Sequence, residues 1–337
     1  MRLALGYVPL VDAAALIVAV EGGFAAEEGL RIDLVRESSW ATLRDKLALG
    51  LLDGAHMLAP LAIASALGIS GPETRLAVPL GLNLNGNAVT VSRPLWSAMD
   101  PGSEDLDIVA RAFGRVARDR AGQGRPLTLG TVHPFSSHTY QLELFAARGG
   151  LDLEAAVRMV VIPPPRIAEA LQAGHIDGFC VGSPWNGLAV EAGYGRIAAF
   201  GCEIAPDCPE KVLALPADAA AASVGLVRAV SRAGRWCADP RNHDDLALLL
   251  ASPHHLGIAP ALVRRALAGT VVVDADGTRR EAPDFVSFGV AVERPRIAQV
   301  DWFLERMAAA GQITLTPALT ERARALYRPD LYDGAIG

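Results

Sequence analysis

The sequence predicts an α/β protein built from two lobes with a ligand cleft between them. Short apolar segments alternate with helix-periodic segments over residues 1–86 and again over residues 87–199, which is typical of βαβ units. The chain then turns back near residue 200 into a helix-rich region. We therefore predict parallel-rich sheets flanked by helices, with lobe 1 formed by residues 1–86 and 200–337 and lobe 2 by residues 87–199.

The elements of the first lobe follow from turn and cap signals around short apolar runs. Asp12 and Ser39 are good helix N-caps, and Pro60 suits the start of a helix. The predicted strands are 2–7, 31–36, 54–57 and 75–80, and the predicted helices are 12–20, 40–49 and one that begins near Pro60.

The second lobe and the rest of the chain are assigned in the same way. A run dense in turn residues, 83–87, separates the two alternating sets. Strands 88–92, 127–130, 158–162, 178–181 and 212–215 are predicted, with helices 105–121, 137–147, 165–173, 184–193, 224–238, 243–250, 259–268, 299–310 and 317–325. Residues 271–279 read as a hairpin because a DADG run supplies its turn.

A strand-to-helix corner lies near the middle of the chain, over residues 131–140 (TVHPFSSHTY). A buried strand precedes it and a helix follows, with Ser136 or Ser137 as the N-cap. Free backbone N–H groups at such a helix start favour an anion. His138 in the first turn adds an N–H donor, and a positive charge when it is protonated. We predict that this corner is one wall of a small-anion site.

Composition and charge exclude several classes of protein. The net charge is −6 with no basic block, which argues against direct nucleic-acid binding. No apolar run approaches the ~18 residues of a membrane span, so no membrane insertion is expected. The four cysteines form no CxxC pair, so we expect free thiols and neither a metal nor a cofactor. The chain enters its first strand without signal-peptide features, and taken as a native start this predicts a cytoplasmic protein.

Seven polar or aromatic residues lie where predicted strands end, which places them at the rim of the cleft. Each also has an ordinary structural role, such as a core aromatic, a turn residue or a surface lysine. Nucleophile-elbow, P-loop, dinucleotide-binding and zincin motifs are lacking in the sequence, which favours a binding protein over an enzyme. The seven residues are Trp40, His56, Asn87, His133, His138, Trp185 and Lys211.

Several stretches together resemble the nitrate/bicarbonate-binding branch of the nitrate–sulfonate–taurine solute-binding proteins. They are residues 6–14 (GYVPLVDAA), 39–47 (SWATLRDKL), 53–60 (DGAHMLAP), 82–87 (LNLNGN), 161–165 (VIPPP), 179–186 (FCVGSPWN), 209–211 (PEK) and 327–332 (YRPDLY). The resemblance spans nearly the whole chain. It implies the two-lobed periplasmic-binding-protein type II fold, in agreement with the two alternating sets.

The resemblance also implies an anion site between the lobes, held by Trp40, Asn87, His138 and Lys211. Asn87 stands where nitrate-binding relatives have a glutamine, so the amide is kept but its reach is shorter. Bicarbonate-binding relatives carry an acidic residue at the position of Lys211, so the lysine favours nitrate or nitrite. The residues themselves add Ser137 from the corner and His56 from the cleft rim to the predicted set.

The absence of an export signal gives the functional prediction. The chain resembles cytosolic members of the family, which act as nitrate/nitrite sensors for nitrate assimilation. In those systems the ligand-free sensor holds an RNA-binding antiterminator protein, which the ligand releases, and we predict such a partner here. The alternatives are the solute-binding component of an ABC importer for nitrate or a related small anion, and an enzyme on the same fold acting on a small heterocycle.

Overall fold

The computed structural model describes residues 1–220 and 223–337. The strands are β1 (Arg2–Tyr7), β2 (Arg31–Arg36), β3 (Gly54–Leu58), β4 (Leu76–Asn85), β5 (Asn87–Ser92), β6 (Leu127–Thr131), β7 (Val157–Val161), β8 (Gly178–Gly182), β9 (Gly195–Phe200), β10 (Pro209–Pro216), β11 (Thr270–Val272), β12 (Arg279–Glu281) and β13 (Val286–Ser287). The helices are α1 (Ala14–Glu21), α2 (Phe24–Glu27), α3 (Trp40–Ala48), α4 (Ala59–Ala66), α5 (Arg93–Met99), α6 (Leu106–Gly122), α7 (Ser137–Arg148), α8 (Leu153–Ala156), α9 (Ile167–Gln172), α10 (Trp185–Glu191), α11 (Gly201–Ile204), α12 (Val224–Ala238), α13 (His243–Ala251), α14 (Pro260–Ala268), α15 (Val290–Glu293), α16 (Ile297–Ala309), α17 (Pro317–Arg324) and α18 (Pro329–Ile336).

The first sheet contains six strands in the order β13-β4-β10-β3-β1-β2. β1 pairs in parallel with β2 and β3, whereas β10 is antiparallel to both β3 and β4. β10 comes from far along the chain, yet it lies between strands from the first 85 residues. This sheet is therefore completed only after the chain has returned from the second one.

The second sheet contains five strands in the order β7-β6-β8-β5-β9. β6 is parallel to β7 and β8, and β5 is antiparallel to β8 and β9. The chain enters this sheet at Gly86, whose φ of 100° is a conformation that suits glycine. Both sheets are mixed, because the strands that follow the two crossings, β5 and β10, run against their neighbours. Two sheets flanked by helices agree with the predicted fold class.

The C-terminal region touches both sheets. α12 and α13 pack against α1 and α16 packs against α4, all beside the first sheet. The β11–β12 hairpin, a separate two-stranded sheet, instead contacts the edge strand β9 of the second sheet, where the Ile197 amide donates to the Val273 carbonyl at 3.0 Å. Next to it the rings of Phe200 and Phe285 lie 5.3 Å apart. These contacts tie part of the C-terminal region to the second sheet. The division into lobe 1 (residues 1–86 and 200–337) and lobe 2 (residues 87–199) therefore stays a prediction.

Several local features differ from the sequence prediction, and those near the site are described here. α5 and β9 were not predicted, although Ser92 caps α5 by accepting a hydrogen bond from the Leu95 amide at 3.3 Å. β4 continues through Asn83, which turn signals had excluded, because its side-chain oxygen accepts from the Lys211 amide at 3.1 Å. Asp12 does not cap a helix; it lies inside a 3₁₀ turn, Val11–Ala13, and makes no capping bond to the helix.

Across residues 1–220 and 223–337, each helix is too short or too polar to cross a membrane.

Candidate functional site

Lys211 lies at the centre of a buried polar cluster between the two sheets. It sits on β10 opposite Leu58 of β3 and Asn83 of β4, and its side chain is fully buried. The pairing register with β4 shifts on both sides of Lys211, as at a bulge. Successive side chains of a regular strand point to opposite faces, and a bulge re-aims them. We attribute to this bulge the convergence of Glu210 and Lys211 on one cluster. The alternative of a surface lysine is wrong.

Asp12 joins Lys211 to His56. One carboxylate oxygen of Asp12 lies 2.7 Å from Lys211 Nζ, and the other lies 2.9 Å from His56 Nε2. Burial favours a raised pKa for the Asp12 carboxyl, but the charge of Lys211 and the hydrogen bond from His56 together lower that pKa well below its usual range. Burial lowers the pKa of His56. We therefore assign Asp12 as a carboxylate and His56 as a neutral ring.

Glu210 is the second carboxylate beside Lys211. Its side chain pairs with Lys211 Nζ and accepts hydrogen bonds from Asn87 Nδ2 and Ser137 Oγ. Burial raises the pKa of Glu210 to about 7, although the charge of Lys211 acts in the opposite direction. Glu210 thus ties the first sheet to both β5 and α7.

Trp40 forms the wall of the cluster on the α3 side. Ser39 caps α3 as predicted, accepting from the Thr42 amide at 3.2 Å, and this places Trp40 in the first turn. The Trp40 ring centroid lies 5.4 Å from the His56 ring and 5.4 Å from Lys211 Nζ, a cation–π distance. Trp40 is buried, and its Nε1 has no hydrogen-bond partner within residues 1–220 and 223–337.

The predicted corner forms another wall of the cluster, since Ser137 donates to Glu210. Ser136, one of the two predicted caps, is the N-cap of α7: it accepts from the Thr139 amide at 3.2 Å and donates to the His133 carbonyl at 2.6 Å. Ser137 and His138 then lie in the first helical turn. Both ring nitrogens of His138 are buried and unpartnered among the described residues.

His138 is a neutral ring in this arrangement. Burial, followed by the charge of Lys211, lowers the pKa of His138 well below its ordinary value. The sequence predicted a positive charge at His138 only when the ring is protonated, and burial favours the neutral ring in the protein without ligand. One ring nitrogen still carries a proton, so the ring can donate one hydrogen bond.

Asn87 enters the cluster from the start of β5. Its Nδ2 donates to Glu210, while its Oδ1 has no partner among residues 1–220 and 223–337. The amide donor that was expected to face a ligand is therefore occupied. Gly182 of β8 borders the cluster, where a Cβ would lie 2.7 Å from Leu10 Cδ2 and 3.4 Å from both Asn87 Oδ1 and Asp12 Oδ2. A larger residue at this position would enter the cluster.

The structure brings all six predicted site residues into this cluster: Trp40, His56, Asn87, Ser137, His138 and Lys211. Two other rim candidates have structural roles. His133 Nδ1 accepts a hydrogen bond from the Phe135 amide at 3.1 Å. Trp185 Nε1 donates to the Pro9 carbonyl at 2.9 Å and so joins the two halves of the protein, the parts built around the first and the second sheet.

Sequence reasoning missed Asp12 and Glu210. Asp12 precedes an apolar run and was read as a helix cap, and Glu210 lay in a segment assigned to a loop. A signal was present, since Glu210 and Lys211 are opposite charges directly before the apolar strand run 212–215. Charges at the start of a buried strand need partners nearby.

The cluster suits a small polar ligand. Buried polar atoms in native proteins nearly always have partners, yet Trp40 Nε1, the His138 ring and Asn87 Oδ1 have none in the described parts of the chain. The charges are one ammonium, one carboxylate at Asp12 and one carboxyl at Glu210 that titrates near neutrality. No three His, Cys, Asp or Glu side chains within residues 1–220 and 223–337 gather as a metal site.

Comparison with known proteins agrees with this fold. The nitrate import ATP-binding protein NrtC of Synechocystis sp. is 32% identical over 99% of this chain and 50% of its own length. The nitrate/nitrite binding protein NrtA of Synechococcus elongatus is 32% identical over 79% of this chain and 62% of its own length. The chain spans about half the length of the first of these relatives.

A solved structure gives the same result for the fold. The periplasmic nitrate-binding protein NrtA from Synechocystis PCC 6803 superposes with a TM-score of 0.90 and 24% identity, covering 99% of this chain and 88% of that one. The predicted fold class and the resemblance to nitrate- and bicarbonate-binding proteins are both confirmed. A model of the NMT1-like family matches residues 1–251, and the chain belongs to that family.

Proposed function

We propose that this protein binds nitrate or nitrite between its two sheets. The observation that carries the proposal is a set of buried nitrogens near the Lys211 ammonium, Trp40 Nε1 and the His138 ring, which have no hydrogen-bond partner among the described residues. The names of the relatives, which include nitrate/nitrite binding proteins, support the same anion.

The chemistry of the cluster fits a small flat oxyanion. Nitrate is weakly basic and carries one charge over three oxygens, so it needs a few N–H donors and one compensating cation. Trp40 and His138 supply neutral donors that cost no existing hydrogen bond. Lys211 supplies the cation, and the start of the twelve-residue helix α7 adds backbone N–H groups beside Ser137.

The test is calorimetric titration of wild type and His138→Phe with nitrate, nitrite and bicarbonate. The substitution keeps a ring and removes both nitrogens, so we expect a loss of about tenfold or more in nitrate affinity with little change in stability. His175→Phe is the control, because His175 is exposed before β8. Absence of nitrate and nitrite binding in folded wild-type protein would contradict the proposal.

We further infer that binding is read out as a cytoplasmic signal rather than as transport. Both halves of the protein contribute to the cluster, so a ligand between them stabilises the joined form, and a partner that prefers the separated form is released. The partner of this proposal is an RNA-binding antiterminator protein. A pull-down with that class of protein should retain it without nitrate and lose it with nitrate.

Transport is the second candidate, and a specific observation favours it. One of the relatives named above is a nitrate import ATP-binding protein. In that case the chain delivers its anion to an importer and needs no RNA-binding partner. If the pull-down retains the same amount of the RNA-binding protein with and without nitrate, transport becomes the better supported of the two functions. Neither candidate is an enzyme, and the third possibility, turnover of a small heterocycle, would be recognised by a changed product after incubation.

A further inference from the structure

The hydrogen bond between Asn87 and Glu210 uses the amide donor of Asn87, so the group that Asn87 presents to an anion is its acceptor oxygen. Glu210 is ringed by donors: Asn87 Nδ2 and Ser137 Oγ at one oxygen, and Lys211 Nζ at the other. Asn87 therefore turns its acceptor, Oδ1, away from Glu210, and this oxygen has no partner in the described residues. It flanks Gly182 together with Asp12 Oδ2.

An oxyanion entering this cluster would meet three kinds of acceptor. The Asp12 carboxylate, the Glu210 carboxylate and Asn87 Oδ1 all repel it, and the ammonium of Lys211 is already shared by both carboxylates. Burial of a further negative charge without compensation is costly. The cluster must gain a positive charge or lose a negative one when nitrate binds.

We propose that Glu210 determines specificity by taking up one proton from solvent as the oxyanion binds. The neutral carboxyl group donates its new O–H to Asn87 Oδ1, once the Asn87 amide has turned over about its last side-chain bond. Asn87 Nδ2 is then released to donate to the ligand. One O–H bond forms at Glu210 as the bond between the proton and its donor in solution, a hydronium ion or the buffer acid, breaks; the conjugate base stays in solution, and no covalent bond of the oxyanion changes. This inference rests on the proposed anion binding.

The groups around Glu210 leave it as the one that changes protonation near neutrality. Lys211 stays charged because its carboxylate partners raise its pKa against the effect of burial, and Asp12 stays ionised. The pKa values of His138 and His56 are lowered by burial, so both rings are neutral. The thiols facing Glu210 stay protonated because burial raises their pKa values; they are Cys180 on β8 and Cys208 ahead of β10.

The direction of the effect follows from the charges. Glu210 has a pKa of about 7 without ligand, and a bound anion raises it further. Below that pKa the carboxyl group is already neutral, so affinity does not depend on pH. Above it each binding event must bring a proton, and affinity falls by about tenfold for each pH unit. Oxyanions that carry their own hydroxyl group can donate to an ionised Glu210 and escape this penalty.

The experiment is titration calorimetry with nitrate from pH 6 to 9, in paired buffers that differ in ionisation enthalpy. For wild type at pH 8 we expect uptake of close to one proton per nitrate. Glu210→Gln supplies a permanent amide donor for Asn87 Oδ1, so it should bind without proton uptake and with a flat pH profile. Its affinity at pH 8 should equal or exceed that of wild type.

Glu203→Gln is the matched control, because Glu203 pairs with Arg280 outside the cluster. It should keep the wild-type slope. Nitrate binding by wild type without proton uptake, or a sloping profile in Glu210→Gln, would overturn the inference and leave nitrate binding in place. Failure of wild type to bind nitrate at any pH would refute the proposed function instead. If Glu210→Gln does not fold, the paired-buffer measurement on wild type decides alone.

Discussion

Lys211 owes its charged state to the two carboxylates around it. Burial alone would lower the pKa of the ammonium, but Asp12 and Glu210 raise it above the ordinary value. Truncating one member of a buried ionic set costs about 3–5 kcal/mol, because the remaining charge is left unpaired. Lys211 is thus a structural residue as well as a proposed ligand-binding residue, and its removal cannot separate the two roles. Substitutions of Trp40 and His138 separate the two roles better, because their ring nitrogens have no hydrogen-bond partner among the described residues.

Trp40→Phe should weaken nitrate binding by about tenfold and lower stability by about 1–2 kcal/mol, because the smaller ring leaves a cavity at a fully buried position. The substitution keeps the aromatic wall and removes an indole N–H that has no partner within the described residues, so the free protein loses no hydrogen bond. Calorimetric titration and thermal melting of the two proteins test this. Unchanged nitrate affinity in a folded Trp40→Phe protein would show that the indole N–H does not contact the anion.

Glu210 should make the unliganded protein less stable as pH rises through neutrality. Its pKa in the folded protein, about 7, is above the ordinary value of 4.5. A carboxyl group with a raised folded pKa contributes stability below its unfolded pKa and loses that contribution as pH rises through the folded one. Denaturant unfolding at pH 6 and pH 9 should therefore show a fall in the free energy of unfolding for wild type that is smaller in Glu210→Gln. Equal falls in both proteins would contradict this.

Two local features of the secondary structure position the site: the start of α7 and the bulge in β10. The corner before α7 places Ser137 and His138 in the first helical turn. The shift in pairing register around Lys211 directs the side chains of Glu210 and Lys211 into the same cluster. The corner was predictable, because Ser136 and its helix follow a strand in sequence. The bulge was not, because a register shift depends on pairing between β10 and β4, strands more than 100 residues apart.

Ser136→Ala should destabilise the protein by about 1 kcal/mol and weaken nitrate binding as well. The hydroxyl caps α7 and also donates to the His133 carbonyl, so its loss frees the turn that carries His138. Ser92→Ala removes the cap of α5 and is the control. It should cost similar stability, measured by denaturant unfolding, with nitrate affinity unchanged. Equal affinities in the two variants would show that the cap of α7 does not position His138.

The cluster around Lys211 is enclosed by the protein and shielded from solvent. Trp40, Asn87, His138 and Lys211 are all at most 1% exposed, so an anion reaches them only when the two halves separate. Trp185 and Ser183 hold the halves together through the Pro9 carbonyl and the Val11 amide. The sequence predicted two α/β sets and a return crossing, but these contacts between halves join residues that no local pattern connects.

Chemical modification should show the enclosure directly, because the chain has only two lysines, Lys46 and Lys211. The side chain of Lys46 is 38% exposed, and that of Lys211 is 0% exposed. Reductive methylation followed by peptide mass spectrometry should modify Lys46 and spare Lys211, and nitrate should increase the protection of Lys211 alone. Similar modification of both lysines would contradict an enclosed cluster.

The docking of the β11–β12 hairpin on β9 limits how far the halves can part. Two lobes joined by crossover strands alone can swing through a large angle, but here Val273 and Phe285 add a third tether between the C-terminal region and the second sheet. We therefore expect the motion that admits an anion to be a rotation of small amplitude about that tether. Small-angle X-ray scattering should give nearly the same radius of gyration with and without nitrate, even though the ligand lies at the centre of the molecule.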